Sequence, residues 1–464
     1  MPPSALRLSR RALAFLTLAL VLAASVFVTV VAPSMASAQQ MGTALSGAAT
    51  ADGASAYYNP AAMAAGEGTL LSLDLGFASL AAEFAPDTGL PPSTTAPIAP
   101  LLTLGGFTDL AHESVRLGLS VGIPKIIGAS WDPEDGAGQI TRYYLNEGAI
   151  VHMDVVPAVS WAPIPWLSVG LGANIVYGSI TMDLDKDFGS ELNMMVDPGC
   201  NVNVDCIFPY ADPAFVAPIT AEGSGVGVGV IGGFWARPID ELSLGVSVHS
   251  PVGINATGSL SVEYPQALTD AVGGLLPGAT LPDLNGEFEV DLGLPFQMFA
   301  GASVMPLPNL EIGLNYQFEQ SSSQPNLNVI ITEASSEAVG DTTKPQAYTN
   351  RHRVAFRVAY LPIEDLRVAV IGSVQTNTVP DLTVAPNNVD FDRFEVGFAA
   401  RYRIVESFSV LLQYSHIFLA DRTITTSYHQ PSSFPSLVAF NHPSPTGRYT
   451  GAANTLRLGL ALHL

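Results

Sequence analysis

The sequence predicts an all-β protein: a transmembrane antiparallel β-barrel of about 14 strands, with an N-terminal hatch, or plug, inside the lumen. Three observations carry this reading. From about residue 69 onward, segments in which apolar residues alternate with polar or small ones recur to the end of the chain. These segments run about 10 to 16 residues, longer than the usual ~5–6 and enough to cross a bilayer at a tilt. The connections between them alternate between short and long, the arrangement of a barrel with tight turns on one rim and loops on the other.

The composition agrees. Charged residues make up 13% and hydrophobic residues 48% of the 464 residues, which excludes an intrinsically disordered chain. The 42 Gly and 35 Pro suit a chain rich in turns. Two Cys exclude a disulfide scaffold, and a net charge of −22 argues against nucleic acid as a partner.

Residues 1–38 read as a secretory signal peptide. Arg7, Arg10 and Arg11 precede an apolar run from Ala12 to Ala32, and Ala36-Ser37-Ala38 supplies a small-residue cleavage site. An uncleaved anchor helix is the alternative, since ~20 apolar residues can span a bilayer. Either reading takes the chain out of the cytoplasm. Cleavage after Ala38 and location in a Gram-negative type outer membrane are expected.

Residues 69–464 form the expected barrel. Leu310, Ile312, Leu314, Tyr316 and Phe318 alternate with Glu311, Gly313, Asn315, Gln317 and Glu319. Val354, Phe356, Val358 and Tyr360 alternate with Arg353, Ala355, Arg357 and Ala359. Phe394 to Ile404 and Leu456 to Leu464 repeat the pattern. Period two puts each set on its own face of a strand. A soluble sandwich also alternates, so segment length and loop asymmetry decide for the membrane. Short turns lie near Asp109–Ser114, Pro163–Trp166, Pro238–Glu241, Pro306–Asn309, Pro362–Asp365 and Val405–Ser407. Long loops lie near 85–98, 129–144, 184–222, 262–286, 333–347, 378–392 and 427–452. Closing the sheet is required, because an open edge in hydrocarbon leaves unpaired N–H and C=O groups.

Residues 39–68 do not alternate. They are Gly- and Ala-rich, and small residues pack tightly in a confined space. A disordered periplasmic tail is one reading; a hatch inside the barrel is the other. The run Gly47-Ala48-Ala49, Asp52, Ala54-Ser55, Tyr58, Asn59-Pro60-Ala61 resembles the N-terminal hatch of the long-chain fatty-acid transporter family of outer-membrane proteins, FadL-like, which includes hydrocarbon uptake channels. Similar stretches follow at Leu294-Pro295, Gly301-Ala302-Ser303 and Leu310 to Tyr316, and at Pro380-Asp381, Asp392-Arg393, Tyr414-Ser415-His416 and Asp421-Arg422. The chain departs from the pattern at Leu464, where such barrels commonly end in an aromatic residue.

The resemblance implies passive uptake of long-chain fatty acids or similar hydrophobic molecules, by a monomer set in outer-membrane lipid. It implies an extracellular capture groove between the third and fourth long loops. Those loops carry Leu192, Met194, Met195, Ile207, Phe208 and Phe215, then Leu268, Val272, Leu275 and Leu276. Apolar residues on a water-facing loop mark either a binding surface or a loop core of their own. It also implies an inward kink of the third strand that opens a side window; Gly122 and Pro124 are the candidates, since proline removes a ladder donor. A proline near the end of pairing is the alternative.

Arg353, Arg357, Arg393, Arg401, Arg403 and Arg457 fall opposite the apolar stripe and are expected in the lumen. A guanidinium fork suits a ligand carboxylate. Pairing with Glu395 or Asp52 to neutralise the interior is the competing role. Cys200 and Cys206 are expected to pair in an oxidising compartment. Asp183, Asp185 and Asp187 alternate in a way that could hold Ca²⁺, but no EF-hand spacing follows, and a solvated acidic rim is expected; no metal or cofactor is called for. A general porin or structural barrel is the alternative function, and it would lack the hatch. A lipid hydrolase is a further alternative, but Ser415 and His416 are adjacent on a strand and face opposite sides, and no Gly-x-Ser-x-Gly elbow is present. The protein is not expected to be an enzyme.

Overall fold

The computed structural model describes residues 41–109, 114–131, 140–189, 192–193, 207–209, 212–275, 281, 283–335, 341–429 and 444–464. The signal-peptide reading therefore lies outside the described residues. Strand segments merge into one closed antiparallel sheet of 14 barrel strands. In chain order these are β1 (Leu70–Pro86), β2 (Ile98–Asp109), β3 (Val115–Ser130), β4 (Glu147–Ile164), β5 (Leu167–Asp187) and β6 (Val216–Ile239). Next come β7 (Leu242–His249 and Asn255–Val262), β8 (Gly286–Asp291 and Gln297–Leu307), β9 (Leu310–Glu319 and Asn326–Ala334) and β10 (Thr342–Pro345 and Arg351–Ile363). The last are β11 (Leu366–Gln375), β12 (Arg393–Val405), β13 (Phe408–Leu419) and β14 (Gly447–His463). Each strand pairs with its sequence neighbours, and β14 pairs with β1 from Leu70↔His463 to Pro86↔Gly447. That last ladder removes the sheet edge that hydrocarbon would not tolerate.

The alternation read from the sequence is the in-out alternation of the wall. On β12, Phe394, Phe398, Tyr402 and Ile404 are exposed on the outside, while Glu395 and Ala399 are buried inside. On β6, Val226, Val228, Val230 and Phe234 face out, and Gly227, Gly229, Ile231 and Trp235 face in. A lipid-solvated face needs no burial by protein, so these large side chains lie bare in the isolated chain. The short-turn hairpins close tightly at Ile164↔Leu167, Ile239↔Leu242, Leu307↔Leu310, Ile363↔Leu366 and Val405↔Phe408. Each has a register shift just before its turn, as bulges that strengthen twist do.

Residues 41–66 lie within the ring of strands. Donors and acceptors from many sides of the wall hold them. Gly42 N donates to Thr103 Oγ1 of β2 at 2.8 Å, and Ala44 N to Gln413 Oε1 of β13 at 2.9 Å. Ser120 Oγ of β3 donates to Gly53 O at 3.0 Å, and Ser168 Oγ of β5 to Ala61 O at 2.7 Å. Trp235 Nε1 of β6 donates to Ala49 O at 3.1 Å, and Ser247 Oγ of β7 to Tyr58 O. The segment folds as a short helix α1 (Ser55–Tyr58) followed by a 3-10 turn over Pro60–Ala65. Small residues on both partners permit this close seat. A Cβ at Gly245 of β7 would lie 1.9 Å from Ala48 O, so that position accepts glycine alone without moving the segment.

Candidate functional site

Asn59 organises the N-terminal segment. It is fully buried. Its Nδ2 donates to Ala48 O at 2.8 Å and to Phe234 O of β6 at 2.9 Å, while its Oδ1 accepts from Ala61 N at 3.1 Å and caps the 3-10 turn. Pro60 occupies the first turn position, where a missing N–H costs nothing. Ala61 and Ala62 pack against Trp235. Tyr57 and Tyr58 stack edge-on with each other and with Phe299 of β8, and Tyr57 also meets His249 of β7. Asp52 accepts from Ala54 N at 2.9 Å. Burial pushes its carboxyl up, against the pull of Ser46, the Ala54 N–H and Arg401. A cavity of about 30 Å³ between this segment and the wall is lined by Ser46, Gly47, Tyr58, Phe299, Asn315 and Arg353. It has room for about one water. A shallower depression of about 420 Å³ lies on the lipid side, where Ala300 and Ala302 are small beside Phe234 and Leu314.

Gly122 and Pro124 lie at a defect in the wall. The β2–β3 ladder runs from Asp109↔Arg116 to Thr103↔Gly122 and stops there. Residues 98–102 of β2 still pair with β1 but have no β3 partner. On its other side β3 shifts register against β4 between Gly122 and Lys125. Ile123 and Ile126, past the break, are buried and pack with Ala99, Leu101 and Met153. Gly122 and Pro124 thus sit in the middle of a strand and not at its outer end.

The arginines divide into bonded and unbonded. Arg353 Nη2 donates to Glu395 Oε2 at 3.1 Å, and Arg357 Nη2 to Glu311 Oε1 at 2.7 Å. Arg367 of β11, which the sequence reading missed, holds the other oxygen of Glu311. Arg393 pairs with Asp390 at 2.6 Å, and Arg351, also missed, pairs with Asp390 at 2.6 Å and Glu319 at 3.3 Å. Arg457 is buried opposite Asp74 and Glu395. Arg401 makes no hydrogen bond or salt bridge among the described residues and faces Asp52 and Asp74 at longer range. Arg403 corrects the expectation. It lies at the short-turn rim, partly exposed, bonded to Asp365 at 2.7 Å and Glu364 at 3.1 Å. It is too close to the turn for its face to be enclosed. Carboxylates thus hold Arg353, Arg357 and Arg393, as the neutralising role requires.

The loop residues do not form a bare apolar surface. Leu192, Phe208, Leu268 and Val272 are buried together with Val252, Ile254, Leu292 and Leu294, and Phe215 packs at the edge of the same cluster. Leu268 and Val272 share one face of helix α2 (Gln266–Leu275), one turn apart. Ile207 is 63% exposed and stands apart from them. Leu275 ends α2. Met194, Met195, Leu276, Cys200 and Cys206 lie outside the described residues. A second cluster, with Phe84, Trp131, Tyr144, Val384, Phe391 and Tyr449, closes the other side of the long-loop end. Within it, burial pushes the Asp390 carboxyl up, but Arg351 and Arg393 outweigh burial and hold it well below the usual range. Burial and Lys344 hold His429 down at about 4. Of the acidic rim, Asp183 is exposed, whereas Asp185 pairs with Arg142 at 2.5 Å. Among the described residues no cluster of three His, Cys, Asp or Glu could hold a metal.

A closed barrel with a lipid-facing exterior and an occupied bore defines an outer-membrane β-barrel. The chain belongs to the family of outer membrane protein transport proteins (OMPP1/FadL/TodX), whose model matches residues 20–456. This is a family of outer-membrane channels for hydrophobic compounds. Similar solved structures include a Pseudomonas aeruginosa FadL homologue, 18% identical, covering 93% of this chain and all of the other, with a TM-score of 0.73. The P. putida toluene transporter TodX is 13% identical over 90% of this chain and 96% of its own, with a TM-score of 0.67. The Ralstonia pickettii toluene transporter TbuX is 14% identical over the same shares, with a TM-score of 0.62. At these identities the likeness is one of fold. No curated protein sequence matches the chain.

Proposed function

We propose that the protein admits long-chain fatty acids or similar hydrophobic molecules across the outer membrane by passive diffusion. The observation that carries this is the pairing of a filled bore with an unpaired wall. Residues 41–66 are bonded to β3 and β5 of the wall, while the β2–β3 ladder ends at Gly122, partway along the strand. A molecule entering from the loops is therefore guided sideways, between residues 98–102 of β2 and the far half of β3. The loop cluster around Leu192, Phe208, Leu268 and Val272 is the capture surface once it parts. The N-terminal segment acts as the hatch beneath the route. A general porin would instead keep an open aqueous bore.

The test is uptake of labelled oleate and labelled toluene by cells lacking other such channels, together with mass spectrometry of lipids that copurify with the protein. Complementation by the intact protein is expected, together with a hydrophobic compound in the purified material. Uptake no faster than in empty cells, at matched levels of folded barrel, refutes the proposal.

A further inference from the structure

Glu311, Glu319, Glu395 and Asp390 each meet an arginine inside the barrel. Asp154 of β4 does not. It is fully buried, and neither carboxyl oxygen has a hydrogen-bond partner among the described residues. No lysine or arginine acts on it. Asn174 of β5 stands beside it but outside hydrogen-bond geometry, and its own Oδ1 is equally bare at 3% exposure.

The surroundings explain the enclosure. On the same rung as Asp154 are Gly122 of β3 and Val176 of β5. Gly122 brings no side chain, and Met41 lies over it, with Sδ 2.6 Å from where a Cβ would stand. Val156, next on the same face of β4, and Val176 are fully buried. Helix α1 packs on β3 and β4, and its Tyr57 and Tyr58 join Met41 and Val156 in one apolar cluster. Tyr58 Oη donates to Met41 O at 3.0 Å and ties this roof together. Beyond Tyr57, His249 of β7 lies edge-on at 5.1 Å, and its Nε2 is also without a partner among the described residues.

A carboxyl buried without a donor is destabilising, and nothing in the closed wall offsets it. A structural role would supply a partner from the chain itself. A donor carried by an incoming molecule would satisfy the group. A carboxylate does not fit, because it is repelled by an ionised Asp154, and Arg353, Arg357 and Arg393 are already held by acids. An ammonium is far costlier to bring out of water than a hydroxyl. Helix α1 belongs to no strand ladder, so it can lift while the sheet stays closed.

We propose that Asp154, with Asn174 beside it, is a recognition site for the neutral hydroxyl of an otherwise hydrophobic molecule, an alkanol or a phenol, reached when α1 lifts from the wall. This rests on the channel reading above and names a substrate class for it.

The test is equilibrium binding to the full mature protein in vesicles, corrected for partition into empty vesicles. The probes are para-ethylphenol, para-ethylanisole, which accepts but cannot donate, and para-ethylbenzoate. The phenol is expected to bind about tenfold tighter than the anisole, the worth of one buried hydrogen bond to a carboxyl. Asp154→Leu should abolish that preference and leave anisole binding unchanged. It should also raise the unfolding temperature or leave it alone, because no partner is left bare. Asp154→Asn, which keeps an accepting oxygen, should retain part of the preference. The phenol, and not the anisole, should quicken hydrogen exchange in residues 55–58. Equal binding of phenol and anisole, tightest binding of the benzoate, or a phenol preference that survives in Asp154→Leu overturns the site. Exchange in α1 that the phenol leaves unchanged overturns the lifting. Binding is read without transport, so a phenol preference in a protein that passes none of the probes keeps the site and sinks the channel reading.

Discussion

Replacing Asn59 by alanine should loosen the N-terminal segment while leaving the barrel intact. The side chain is fully buried and makes three hydrogen bonds: to Ala48 O, to Phe234 O and from Ala61 N. Each buried bond contributes about 1 kcal/mol, and leaving a buried partner bare costs about 1–3 kcal/mol. The capping bond alone is worth about 0.5–2 kcal/mol. The total for Asn59→Ala is about 3 kcal/mol, or about a hundredfold in the population of the loosened segment. Collapse cannot repair the loss, because a Cβ at Gly233 already falls 2.1 Å from Asn59 Oδ1. That wall position has no side chain to fill the gap. None of the three bonds belongs to a strand ladder, so the closed sheet should keep its heat resistance on a gel. Hydrogen exchange of peptides covering residues 48–62 is the assay, with labelled uptake beside it. Exchange should accelerate by about two orders of magnitude. Unchanged exchange in a folded barrel would refute the claim that Asn59 anchors this segment.

Three further outcomes are expected. Pro124→Ala restores a backbone donor past the break in the β2–β3 ladder; hydrocarbon uptake should fall severalfold with the barrel folded, and unchanged uptake would count against the lateral route. Glu311→Gln leaves Arg357 and Arg367 without their shared carboxylate; urea unfolding should show a loss of about 3 kcal/mol, reduced from the fully buried figure because Arg367 is partly exposed, and a loss under about 0.5 kcal/mol would show the pair to be idle. His429, at 2% exposure with Nε2 2.9 Å from Pro345 O, is held down at about 4 from an ordinary 6.5. The unfolded loop therefore binds the proton more readily, so stability is complete above pH ~6.5 and falls as pH drops toward ~4, by about 3 kcal/mol at most. Exchange of residues 379–391 should quicken across that window, and His429→Gln should remove the pH dependence; the same slope in the variant would assign it elsewhere.

The sequence by itself determined the architecture. Period-two alternation in Leu310–Glu319 and Phe394–Ile404 is a local pattern, and a strand in a lipid-facing wall has only two faces to assign. Segment length and loop asymmetry then gave closure and a count of fourteen. The run from Gly47 to Ala61 marked itself by lacking that pattern, and Gly122 and Pro124 by interrupting it. The tertiary structure decided who meets whom across the bore. Arg353, Arg357 and Arg401 are equivalent as letters, yet Glu395 and Glu311 claim two of them and leave the third without a hydrogen bond or salt bridge among the described residues. Lys125 and Glu319 lie far apart in sequence and on strands that share no ladder, so no spacing rule connects them. Arg403 follows the inward face in register and still lies outside, because the wall ends there. Leu192 and Leu268 look like surface in a loop, and only packing between two loops buries them. Strand faces follow from covalent geometry, whereas contacts across a lumen depend on which strands the closed ring sets opposite one another.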